Sequence, residues 1–228
     1  MRRRTGVTPP TVPALVPLLA VAALLVGACG SSTSSAPGVG ATSATPGGST
    51  SAIATPVAAV PPARDPVTGV GTVISVGEAT PELCLGPVRE SFPPQCDGVP
   101  LVGWSWAEHP PEQSTDTGGA TTSWGSYAVT GTFDGRTLAV DSAVPLALYD
   151  TVADPSPRPM APPDLTDAQW ERVESGVRLL PGLLTSGRQD ASGPVYVDVV
   201  HDDGTLQAWA DSTFGVGAVR VTSMLRSR

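Results

Sequence analysis

Between Gly30 and Pro66 the chain is written almost wholly in Ser, Thr, Ala, Gly and Pro, and its only charges there, Arg64 and Asp65, come at the end. A segment of this composition cannot bury enough apolar surface to offset its ordering entropy. Any packed core must therefore come from the residues after Pro66, which run from Val67 to Arg228 and suffice for one. The low-complexity stretch reads as a disordered tether. Its 37 residues have an r.m.s. reach of roughly 35 Å and a fully extended limit of roughly 120 Å. Ser and Thr interleaved with Pro also suit O-glycosylation, on composition alone.

What precedes the tether is a targeting segment. Arg2, Arg3 and Arg4 form a basic start, and an apolar stretch from Ala14 to Ala28 is interrupted only by Pro17 and Gly27. This is too short to span a bilayer as a helix, which takes about 20 residues, but it fits the apolar region of a signal peptide. The stretch ends in Val26-Gly27-Ala28-Cys29. Small residues before a Cys fit a peptidase cleft, and the motif resembles the lipobox of bacterial lipoproteins, with Val26 where Leu is commoner. The resemblance implies cleavage before Cys29 and diacylglyceryl and palmitate-class acylation at that residue. It also implies lipid anchoring at the outer face of the cytoplasmic membrane. The plainer alternative is an ordinary secretory signal with an incidental Cys. The general secretory route fits better than twin-arginine export, because Thr5-Gly6-Val7 lacks the apolar residues usual after an arginine pair.

Anchoring of this kind needs no other membrane affinity, since two acyl chains at about 0.8 kcal/mol per buried methylene hold stably. After cleavage the chain carries 10 Arg, no Lys and 21 acids, a formal charge of −11. Anionic headgroups repel such a domain. Nucleic acid is excluded as a partner for want of basic clusters.

With Cys29 acylated, Cys84 and Cys96 are the even pair that an exported protein joins as a disulfide. Two lone Cys are a poor zinc site, which wants four ligands. The surrounding Glu82-Leu83-Cys84-Leu85-Gly86 and Pro93-Pro94-Gln95-Cys96 resemble segments of exported proteins of high-GC Gram-positive bacteria. That resemblance covers most of the head and implies export without implying an activity.

The chain thus divides into a signal peptide (1–28), a tether (29–66), a β-rich domain with a disulfide (67–142) and an α+β domain (143–228). In the β-rich part, Val70, Thr72, Ile74 and Val76 alternate with Gly71, Val73 and Ser75, a strand pattern. Val102, Trp104 and Trp106 share one face of a strand around 99–106. Asp134-Gly135 reads as a two-residue hairpin turn that pairs Phe133 with Arg136, Gly131 with Leu138 and Val129 with Val140. Short strands with Pro and Gly connections suggest a small antiparallel barrel, OB-like.

In the last part Thr166 and Gln169 make a capping box, Leu165 and Trp170 a hydrophobic staple, and Trp170, Val173, Val177 and Leu180 a helical stripe ended by Pro181-Gly182. Val195–Val200 reads as a strand. Thr205–Phe214 reads as a helix, with Asp203 to cap it and Gly215 to end it, although a return strand is the alternative. With strands near 146–149, 183–186 and 218–223, the order becomes βαββαβ, which is ferredoxin-like.

Chemistry is sparse. There is no Gly-x-Ser-x-Gly elbow, phosphate loop or Rossmann glycine pattern, and no metal spacing, so no cofactor or metal is expected. His109 lies in a Pro-rich loop and His201 ends a strand, each a base only if a carboxylate lies beside it. Asp202-Asp203-Gly204 reads as a turn or helix cap rather than a calcium loop. Trp104, Trp106 and Trp124 remain as candidate ligand-binding residues. An exposed indole stacks on sugar rings, while their spacing also suits core positions. Trp170 and Trp209 read as core. The reading that follows is a non-enzymatic envelope lipoprotein whose head binds an envelope protein or glycan. The alternatives are a glycan-cleaving hydrolase with a carboxylate pair near Trp104 or Trp106, and a structural spacer.

Overall fold

The computed structural model describes residues 57–150, 163–188 and 193–227. The signal segment, Cys29 and the tether up to residue 56 lie outside the described residues. The described chain is mostly β-sheet with two α-helices, an α+β fold.

The first half holds β1 (Val67–Val76), β2 (Glu82–Cys84), β3 (Val99–Val102), β4 (Gln113–Thr117), β5 (Ala120–Phe133) and β6 (Leu138–Pro145). The last strand of the chain, β10 (Arg226–Ser227), returns to the same sheet, whose order is β10-β1-β2-β3-β6-β5-β4. Because β1 also pairs along its whole length with β5, strands β1, β2, β3, β6 and β5 form a closed ring. Only β3 and β6 pair in parallel within that ring. Val67, Val73, Leu83, Val99, Leu101, Tyr127, Val129, Phe133 and Leu138 fill its interior, and Leu225 joins them from the far end of the chain.

Glycine makes this closure possible. On β1 the inward face is Val67, Gly69, Gly71, Val73 and Ser75, not the Val70–Val76 face that the apolar alternation marks. A Cβ on Gly69 would press on Leu225, Leu83 and Leu85 at 2.7–2.9 Å. One on Gly71 would overlap the Cys84 carbonyl oxygen. Strand glycines at such points mark barrel corners where backbones approach closely. The outward residues are not idle. Ile74 is buried with Trp124 and Cys84, while Val76 is 51% exposed.

The β5–β6 hairpin forms with its turn one residue later than the Asp134-Gly135 reading. Phe133 pairs with Leu138 and Gly131 with Val140. Asp134 N–H donates to Thr137 O, which leaves Gly135 (φ 97°) and Arg136 as the central residues. Asp134 governs the turn through its side chain, whose Oδ1 accepts from Arg136 N at 2.8 Å and Thr137 N at 2.7 Å. These bonds, Thr137's first, hold the carboxyl below the usual Asp range. The displacement amounts to two residues in pairing, so the side chains keep their faces. A bulge between Thr130 and Gly131 then slips the register farther along.

The second half packs α1 (Asp167–Val177) and α2 (Thr205–Phe214) on a three-stranded sheet of β7 (Leu183–Arg188), β8 (Val195–Val199) and β9 (Val219–Ser223), in the order β7-β8-β9. The helices match the sequence reading. Thr166 is the N-cap of α1, and Gln169 Oε1 accepts from its backbone N–H and its hydroxyl, each at 2.9 Å. Trp170, Val173, Val177 and Leu180 are buried. At α2, Asp202 adds to the expected Asp203 cap. Its Oδ1 accepts from Gly204 N and Leu206 N, and Asp203 Oδ1 accepts from Thr205 N.

The ferredoxin-like order needs correction. The strand expected near 146–149 is a 3-10 turn, Leu146–Leu148, because β6 runs on to Pro145 and uses up the extended chain first. Among the described residues the sheet therefore has three strands. β9 pairs β8 in parallel across α2.

Two expected boundaries also shift. Within residues 57–66, assigned to the tether, four side chains from Val57 to Ala63 dock on the fold. Pro61 is buried, and Val57 lies against the core under the helices. Val60 and Ala63 lie against the barrel core, and Ala63 N–H donates to Phe133 O at 3.0 Å. A few apolar residues suffice here because they dock on an existing core rather than building one. The 142/143 division is likewise crossed, since Leu225 enters the barrel and Ser227 pairs with Val67.

Candidate functional site

Strand β3 stops at Val102, and Gly103 (φ 83°) turns the chain. Trp104 and Trp106 therefore lie beyond the strand rather than on one strand face with Val102, which is 53% exposed. Both indoles fold back against the barrel core and are half-buried. Trp104 meets Trp106 edge-on at 5.2 Å and Tyr127 edge-on at 5.0 Å, and His109 lies over it at 4.8 Å with 36° between the rings.

Hydrogen bonds fix this cluster. Trp106 Nε1 donates to Ser75 Oγ at 2.7 Å, at the inward end of β1. The Tyr127 hydroxyl donates to the Pro110 carbonyl and pins the loop that carries His109. His109 N–H donates to Ser105 O at 2.9 Å. The Trp104 indole N–H is enclosed and has no acceptor among the described residues.

Tyr127 was not singled out from the sequence. Its inward place follows from the alternation with Val129 and Phe133 along β5. Burial, and then the nearby Glu112 carboxylate, push its hydroxyl above the ordinary tyrosine value of 10.0. The neutral form is thus the one the fold favours. Stability from this group is complete below pH 10 and is lost as pH rises through the folded value. Alkaline titration followed by phenolate absorbance and by urea midpoint should show that loss in the wild type. Tyr127→Phe should abolish it, and an identical alkaline slope in that variant would assign the loss to other groups.

Trp124 is not brought together with the other two. It points to the opposite face of β5, is 8% exposed, and packs with Ile74, Cys84, Val88 and Cys96. Phe92 meets it edge-on at 5.7 Å. Cys84 and Cys96 form the expected disulfide, Cα–Cα 5.9 Å, which closes the loop lying over this indole. Trp124 is thereby covered as a ligand platform, whereas Trp104 and Trp106 keep partial exposure.

The remaining candidates sort plainly. His201 is buried, with Nδ1 2.9 Å from Pro61 O and its ring against Phe133, a packing role. Asp202 and Asp203 cap α2. The acids beside the aromatic cluster, Glu108 and Glu112, are exposed, and Glu112 Oε2 accepts from Ser126 Oγ at 3.4 Å. Among the described residues there is no group of three or more His, Cys, Asp or Glu placed to hold a metal ion. Among them, too, no helix is long and apolar enough to cross a membrane. No protein-family model, curated protein or solved structure matches the chain.

Proposed function

We propose that this chain is a lipid-anchored envelope protein, held at the outer face of the cytoplasmic membrane by acylated Cys29, whose head is a glycan-binding module. The observation that carries the binding reading is the pair of half-buried indoles, Trp104 and Trp106, braced at one end of the barrel by Ser75, Tyr127 and His109. A rigid aromatic surface binds sugar rings without a large ordering cost. An OB-like character for the barrel accords with this reading. Its support is the closed five-strand ring with one parallel pair, an architecture that serves oligosaccharide and oligonucleotide ligands. The acidic charge disfavours the second.

A flexible linker between Cys29 and the first docked residue, Val57, would hold the head off the bilayer while it meets glycan.

The test is binding of the purified chain to an insoluble cell-wall glycan fraction. Trp104→Ala and Trp106→Ala should each weaken binding at least about tenfold, as expected of aromatic anchors, with an unchanged circular dichroism spectrum. Unchanged affinity in both folded variants would remove the reading. Release of new reducing ends would replace it with the hydrolase.

A further inference from the structure

Strand β9 is the outer strand of its sheet, paired on its inner side with β8. Two of its outward backbone groups, Val219 O and Val221 N–H, are nevertheless engaged. Gln207, on α2, donates from Nε2 to Val219 O at 3.1 Å and accepts at Oε1 from Val221 N at 2.9 Å. In a parallel ladder one residue of a neighbouring strand makes this same pair of bonds to residues two apart. The side-chain amide thus acts as one peptide unit of a further strand. It is held in place by Asp211, whose Oδ1 accepts from Nε2 at 3.0 Å. Both amide hydrogens and the amide oxygen are therefore engaged.

The strand needs such a guard. Edges are ordinarily blunted by charged side chains, Pro, bulges or inward charges. Val219–Ser223 reads Val-Arg-Val-Thr-Ser, with one charge, Arg220, no Pro and a regular register against β8. It is also self-complementary. Two copies paired antiparallel about Val221 would set each Arg220 opposite a Thr222, so no like charges would face each other. We propose that Gln207 keeps β9 closed to strand addition, and that the partner it excludes is the β9 edge of a second copy of this chain.

Sedimentation equilibrium and amide hydrogen exchange on the purified chain test this. Gln207→Ala should associate reversibly to dimers at concentrations where the wild type is monomeric. In that variant the Val221 amide should exchange at least about tenfold faster than in the wild type when dilute, and slow again as dimers form. Gln207→Lys also loses the bridge but puts a charge on the edge, and should stay monomeric. A folded Gln207→Ala chain that remains monomeric overturns the proposal, as does dimerisation of both variants. Should the Ala variant not fold, the wild type decides alone. Protection of the Val221 amide supports the guard, and exchange at the rate of an open edge overturns it.

Discussion

Gly131→Ala should destabilise the protein by about 3 kcal/mol, at the upper end of what overpacking costs. A Cβ at this position would overlap the Ala139 carbonyl oxygen and stand 2.9 Å from its carbon. The obstacle is backbone, fixed by the pairing of Gly131 with Val140 and by the bulge beside it. It cannot swing aside as a side chain can. Relief would require β5 and β6 to part at the place where the barrel bends. Gly187→Ala on β7 is the matched control, because nothing lies within 4 Å of its added Cβ. There the narrower unfolded ensemble should leave stability unchanged or raise it by up to about 1 kcal/mol. Urea unfolding of both variants measures the contrast. Equal midpoints would mean that the two strands do not approach at Gly131 as described.

Removing the disulfide by Cys84→Ser with Cys96→Ser should cost a similar amount, about 3 kcal/mol in the chain-entropy view of a short closed loop. The bond spans 12 positions. Its loop is stiffened independently, since Arg89 N–H donates to Gln95 O at 2.8 Å and the Arg89 guanidinium meets Asp97 at 3.1 Å. That salt bridge is exposed and adds little. The covalent link ties this loop to β2 beside Trp124. Its removal should lower the unfolding midpoint and shift the tryptophan emission to the red as the indole gains water. An unchanged midpoint would show that the loop holds itself.

The sequence made some of this architecture legible and hid other parts for identifiable reasons. The helices were readable because local chemistry decides them. Thr166 with Gln169 and Asp203 with Gly215 mark ends that tertiary contacts need not supply. The disulfide followed from parity of cysteines. The barrel's inward face was hidden because Gly69 and Gly71 occupy core-facing places. Hydropathy patterns count glycine as neither apolar nor inward, and only closure of the ring explains it there. The 3-10 turn at Leu146–Leu148 was hidden because Leu and Ala suit extended and helical chain alike, and the length of β6 settles the matter. The docked strap at Val57–Ala63 was hidden because docking depends on a core built elsewhere. Trp104, Trp106 and Trp124 look alike in sequence. Gly103 ends β3 and sends the first two to the barrel interior side, while β5 alternation sends the third beneath the disulfide loop.

The proposed placement of the head outside the membrane and its proposed reach toward glycan both rest on acylation of Cys29. The most direct measurement is the mass of the N-terminal peptide of the protein extracted with detergent from cells that express the full chain. The expected result is a peptide that begins at Cys29 and carries diacylglycerol on its thiol, with Cys29→Ser chain lost from the membrane fraction. An unmodified thiol on a peptide that begins elsewhere, with Cys29→Ser chain fractionating as the wild type does, would contradict it.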